Sequence, residues 1–161
     1  MNKQHLAQQI GQELRDRGWS FAAAESCTGG LVSHYITNIP GSSDYFAGGI
    51  VAYAYQAKVD LLNVSWDTLE GHGAVSEPTV LEMARGARRA FDADLALSIS
   101  GIAGPGGGTP EKPVGTVYFG LSSRSGEDTR AYQSRGSRQE NKHDFALQGL
   151  QYVWEYLTQN G

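Results

Sequence analysis

The chain has 161 residues, 40% of them hydrophobic and 19% charged, which suits one globular domain with a full core and is short for two. Its net charge of −4, with no basic block, points away from a nucleic-acid partner, since phosphate backbones are held by basic stripes. A single cysteine leaves no internal disulfide and no cysteine-rich metal site. No stretch approaches the roughly 20 apolar residues of a membrane span and Met1–His5 holds no apolar signal core, so a cytoplasmic protein without membrane contact is expected.

Leu6, Ile10 and Leu14, with Ala7 beside them, form an apolar stripe at helical spacing, and Gly18 follows as a C-cap. Trp19–Ala24 reads as a short buried strand, and Gly30–Asn38 as a second helix. After a turn at Pro40-Gly41-Ser42-Ser43, Tyr45–Tyr53 reads as a strand carrying Gly48-Gly49, a pair that marks a bulge or a close approach to the backbone. Gln56–Leu62 is helical with Lys58 in its first turns, and Ser65–Leu69 is a capped short helix broken at Gly71-His72-Gly73. Ser76 caps a further helix, with Pro78 in its first turn and Val80, Met83, Ala84, Ala87 and Phe91 on one face. Leu95–Ser100 is another buried strand, and 101–110 a glycine-rich loop. Val117, Phe119 and Leu121 alternate with Thr116, Tyr118 and Gly120 in a strand whose antiparallel partner is Glu127–Arg135. A final helix runs from Arg138 to Thr158, with Ala146, Leu150, Val153 and Leu157 facing inward. Helices both precede and separate the strands. The fold expected is therefore an α/β/α sandwich of three layers on a mixed sheet, with residues 1–161 forming one domain.

Chemistry is expected where strand one runs into helix two through Ser26-Cys27-Thr28-Gly29-Gly30. Such a junction leaves small polar side chains and bare N–H groups at the carboxyl edge of the sheet, where ligands of open α/β folds bind. Ser26 is either a nucleophile or, with Thr28, a helix cap. The loop after Ser100 follows a buried strand in the same way. If strand 45–53 ends at that edge, the Ser26 hydroxyl, the Tyr53 phenol and the Lys58 amine converge; otherwise Tyr53 is a packed aromatic and Lys58 a solvated helix lysine. Cys27 is the rival nucleophile, without an evident histidine or asparagine partner. The loop fits neither a dinucleotide fingerprint nor a P-loop, and His5, His34, His72 and His143 show no ligand spacing, so no metal site is expected.

Six blocks in order carry a resemblance: Ala24–Gly30, Gly41-Ser42-Ser43, Gly48–Tyr53 with Lys58 beyond it, Gly73–Glu77, Ser100–Pro105 and Lys112–Val117. Together they resemble the CinA C-terminal domain family over roughly residues 5 to 155, with Tyr55 standing where many members carry asparagine. Stand-alone members include nicotinamide-nucleotide amidases, which convert nicotinamide mononucleotide (NMN) to nicotinic acid mononucleotide and ammonia without a cofactor. The resemblance implies that activity, catalytic roles for Ser26, Tyr53 and Lys58, an α/β/α fold and a homodimer. A nucleotide-binding or regulatory paralogue without turnover, its pocket reshaped by Tyr55, is the other reading. Thr28, Gly29 and Gly30, or Gly48 and Gly49, are expected to serve the oxyanion, and Tyr55 to line the pocket. Gly101, Ala103 and Gly104 with Arg138 are expected at the phosphate, with Lys112 as a further candidate.

Overall fold

The computed structural model describes residues 2–159. Helix α1 (Lys3–Arg17) opens on Asn2, whose side chain accepts from the His5 amide, and closes on Gly18 at φ 67°, a left-handed cap that glycine adopts without strain. There follow β1 (Phe21–Glu25), α2 (Leu31–Thr37), β2 (Phe46–Val51), α3 (Tyr55–Leu62), α4 (Trp66–His72) and α5 (Glu77–Phe91). The chain ends with β3 (Leu95–Gly101), β4 (Thr116–Ser123), β5 (Glu127–Gln133) and α6 (Arg138–Gln159).

The five strands form one sheet in the order β2-β1-β3-β4-β5. β1 is parallel to both β2 and β3, whereas β3–β4 and β4–β5 are antiparallel. This is the mixed sheet expected, and it brings the carboxyl ends of β1, β2 and β3 to one edge. Alternation along β1 divides the core in two. Phe21 and Ala23 pack with α1, α2 and α6 on one face, while Ala22 and Ala24 pack with Leu62, Leu69, Met83 and Ala87 on the other. The second face is built from small residues, Ala22, Ala24, Ala96 and Ser98, so α5 lies close to the sheet. The Val80 carbonyl sits directly over Gly120 and accepts from Ser98 Oγ. The result is three layers, α/β/α.

Several boundaries differ from those expected, and α4 runs on through Gly71 to His72, where a break was expected. β1 begins at Phe21, because the chain leaves α1 by closing Trp19 N–H onto Leu14 O, and it extends to include Glu25. A bulge separates the pairs Phe21–Phe46 and Ala22–Gly48, as the paired glycines foretell. β2 stops at Val51, two residues before Tyr53, because the carbonyls of Ala52 and Tyr53 turn to the Lys58 ammonium. β5 stops at Gln133. The turn at 40–43 continues into a 3-10 turn at Ser42–Asp44. No helix among the described residues is long and apolar enough to cross a membrane.

Candidate active site

The site grows from the last residue of β1. Glu25 is only 1% exposed, yet its carboxylate is fully engaged. Oε1 accepts from Thr28 Oγ1 at 2.7 Å, the Gly30 amide at 3.2 Å and the Val32 amide at 2.9 Å. Oε2 accepts from the Ser33 amide at 3.0 Å and Ser33 Oγ at 2.8 Å. A helix start leaves amides unsatisfied and favours negative charge, and here one buried carboxylate answers both needs. Glu25 therefore caps α2, and neither Ser26 nor Thr28 does. Gly29 and Gly30 take φ values of 61° and 110° in the turn that carries the chain from Glu25 into the helix.

Relieved of capping, Ser26 faces Lys58. The Lys58 side chain is 1% exposed, and its Nζ donates to Ser26 Oγ at 2.9 Å, Ala52 O at 3.0 Å and Tyr53 O at 2.8 Å. Burial lowers its pKa to about 8, against a smaller opposing effect from Cys27. The two carbonyls accept only, so they hold two N–H bonds of the amine whatever its charge. The third position, toward Ser26, is an N–H in the ammonium and a lone pair in the free amine. That geometry equips Lys58 to take the serine proton.

Tyr53 joins this cluster through its main chain. Its ring is 62% exposed and its hydroxyl accepts from Arg138 Nη2 at 3.3 Å, so the convergence of phenol, serine and amine expected from the sequence is replaced by direct contact of serine and amine. The reason is the early end of β2, which puts Tyr53 in the connection and not on the strand. Cys27 is buried, and desolvation pushes its thiol up to about 12, against the smaller pull of the Gly101 amide. A thiol so reluctant to ionise is a poor nucleophile.

Gly48 and Gly49 do not reach the edge. They pair with Ala22 and Ala23 inside the sheet, and a Cβ would strike the Phe91 ring at the first and Ser33 Oγ at the second. Their missing side chains admit the neighbouring helices, which removes them as oxyanion donors. Of the 26–30 turn, the Ser26 amide donates to Ile99 O, Gly29 to Ser26 O and Gly30 to Glu25. The Cys27 amide faces its own thiol, and the Thr28 amide has no partner in the chain among the described residues.

The glycine loop is tied down from α6. Arg138 Nη1 donates to Gly104 O at 2.7 Å, and the fully buried Asn141 donates to Ala103 O at 2.9 Å while accepting from the Gly136 amide at 2.8 Å. The Gly101 position is closed by Thr116 O and Val117 against any Cβ. The loop thus has its carbonyls at 103 and 104 bonded to α6, whereas the amides of Ala103 and Gly104 meet no partner in the chain among the described residues. Lys112 is engaged by α4, donating to His72 O at 3.1 Å. Tyr55 leans on Trp66, with ring centroids 6.3 Å apart. Sequence reasoning missed Glu25 and Asn141. An acidic residue closing an otherwise apolar strand was the available signal for the first; a buried amide on a long helix gave none for the second.

A family model described as the CinA C-terminal domain matches residues 3–157. A protein of Escherichia coli strain K12, "Nicotinamide-nucleotide amidohydrolase PncC", is 49% identical over 96% of this chain and 94% of its own length. A "Putative competence-damage inducible protein" of Halothermothrix orenii is 47% identical over 94% of this chain, which spans 37% of that longer protein. Among solved structures, a competence-damaged protein (CinA) superfamily protein from Klebsiella pneumoniae superposes with a TM-score of 0.95 at 32% identity, covering 99% of both chains. The competence/damage inducible protein CihA of Agrobacterium tumefaciens does so with a TM-score of 0.90 at 37% identity, covering 97% of this chain and 95% of that one.

Proposed function

The chain belongs to the CinA C-terminal domain family, and on that premise we propose that it hydrolyses the carboxamide of nicotinamide mononucleotide to nicotinic acid mononucleotide and ammonia, in cytoplasmic pyridine-nucleotide recycling. The observation that carries this reading is the buried Lys58 amine at 2.9 Å from Ser26 Oγ, with its pKa lowered to about 8. At about pH 7.5 roughly a quarter of such an amine is neutral, against roughly one part in a thousand for an ordinary lysine.

Neutral Lys58 takes the Ser26 proton as Oγ attacks the carboxamide carbon. The oxyanion that forms is stabilised by the Thr28 amide, which has no partner in the chain among the described residues, with the neighbouring Cys27 amide beside it. The tetrahedral adduct collapses, the C–N bond breaks, and the Lys58 ammonium returns its proton to the departing nitrogen, which leaves as ammonia. Water, deprotonated by the same amine, then cleaves the acyl-serine to give the carboxylate and regenerate Ser26. The Tyr53 carbonyl orients Lys58, and the Tyr53 phenol with Arg138 borders the opening. Tyr55 lines the approach; its contact with Trp66 leaves the Lys58–Ser26 pair intact, which speaks against the inactive-paralogue reading.

A homodimer belongs to the same proposal, with Val51, Tyr53, Tyr55, Leu61 and Trp66 as exposed apolar surface; sedimentation against the 17.3 kDa chain mass tests it. The decisive assay is ammonia release from NMN by the purified protein. Ser26→Ala is expected to lower kcat by about three orders of magnitude or more, and Lys58→Ala by about 10²–10⁴. Absence of release by the unaltered protein, or retention of the rate by Ser26→Ala, overturns the reading.

A further inference from the structure

We propose that Lys142, together with the cavity it lines between the first turns of α2 and α6, is the subsite for the substrate's phosphate. The inference rests on the nucleotide reading above and goes beyond it by giving the anion a residue and a location. The carboxamide and the 5′-phosphate stand at opposite ends of a mononucleotide, so the group that holds the anion lies away from Ser26. Lys58 is unsuited to it, being sealed in the core and uncharged when it works as a base.

The other cations near the edge are committed elsewhere. Arg138 braces the Gly104 carbonyl and the Tyr53 hydroxyl, and Lys112 is held at the carboxyl end of α4. Lys142 has neither an ion pair nor a hydrogen bond among the described residues. Its Nζ lies 3.9 Å from the point where a Cβ on Gly29 would stand, directly over the turn that follows the nucleophile. The acids on either side of it on α6 are turned away, Glu140 accepting from the Ser137 amide and Asp144 from Ser134 Oγ. The half-buried ammonium therefore meets no competing carboxylate.

Beside it opens a cavity of about 340 Å³ lined by Leu31, Gln139, Lys142 and His143, a volume within the roughly 300–1,000 Å³ of small-ligand sites. Tyr35 pairs with His143 Nδ1 and fixes that wall. Gly29 contributes by having no side chain, so that an anion reaches both the turn and the ammonium. A charge-assisted contact of this kind is expected to change affinity about tenfold or more.

The test compares NMN with its dephosphorylated riboside. Binding of each is measured by calorimetry to Ser26→Ala protein, in which no turnover interferes, with and without Lys142→Ala or Lys142→Arg. Lys142→Ala is expected to weaken NMN binding about tenfold or more, to leave riboside binding unchanged and to keep the thermal midpoint, while Lys142→Arg restores NMN binding. Equal loss for both compounds, no loss for NMN, or binding of neither compound before Lys142 is altered overturns the subsite. Lys142-dependent binding of NMN by a protein that releases no ammonia leaves the subsite standing and sinks the amidase.

Discussion

A lysine buried without a carboxylate partner gives up its proton early, and Lys58 is such a residue. With its pKa lowered to about 8 by burial, kcat/KM is expected to rise with pH as one proton is lost near that value and then to level off. A stopped pH series on ammonia release reads this directly, and a profile already flat by pH 6 contradicts it. The same group makes stability depend on pH. Between about 8 in the folded chain and its ordinary value of 10.5 unfolded, the unfolded state holds the extra proton, so stability rises with pH across that window. Below it the full penalty of the buried charge is present. Denaturant titrations of the unaltered protein and Lys58→Met are expected to show the rise in the first and not in the second. Pattern placed Ser26 at a strand-to-helix junction and Lys58 in the first turns of a helix. Spacing left Lys58 open as a solvated lysine, and the family resemblance is what implied their partnership. The pattern misjudged Tyr53, because alternation continues past Val51 and carries no sign of where carbonyls turn to meet a distant amine.

At the scale of elements, the junction between β1 and α2 depends on Glu25. Five hydrogen bonds converge on one carboxylate there, and they hold both the turn that displays Ser26 and the first amides of α2. Glu25→Ala is expected to cost about 2 kcal/mol or more, the loss of a cap plus buried donors left unpaired. A fall in the denaturation midpoint together with a fall in kcat is the expected outcome; an unchanged midpoint removes the role assigned to it. The helices and strands themselves were legible from periodicity, with α5 and α6 the clearest because their apolar positions recur over many turns. The capping arrangement was not. Ser26 and Thr28 are the residue types that cap by local rules, and only the packing of α2 against β1 lets a glutamate reach forward and displace them.

Over the whole molecule, three parallel strands open toward one edge, and both helical layers contribute to what stands there. The base comes from α3, which is pressed onto α5 where Gly86 meets the Leu62 carbonyl. A Cβ at Gly86 overlaps that carbonyl, so Gly86→Ala is expected to destabilise the fold by about 1–3 kcal/mol and to lower the rate by shifting Lys58. A thermal melt paired with the ammonia assay checks both effects, and an unchanged midpoint argues that the α3–α5 contact adjusts freely. This contact also explains why the layer arrangement could be read and its tightness could not, since a glycine inside a helix pattern announces a concession without naming its neighbour.

The alcohol and its amine lie 32 positions apart and are joined by a single bond across the β1–α3 contact. A chain emerging from refolding with β1 and α2 formed but α3 undocked would carry the attacking group and nothing to ionise it. First turnover would then time the arrival of α3, and every partly assembled molecule would be chemically silent toward the amides around it.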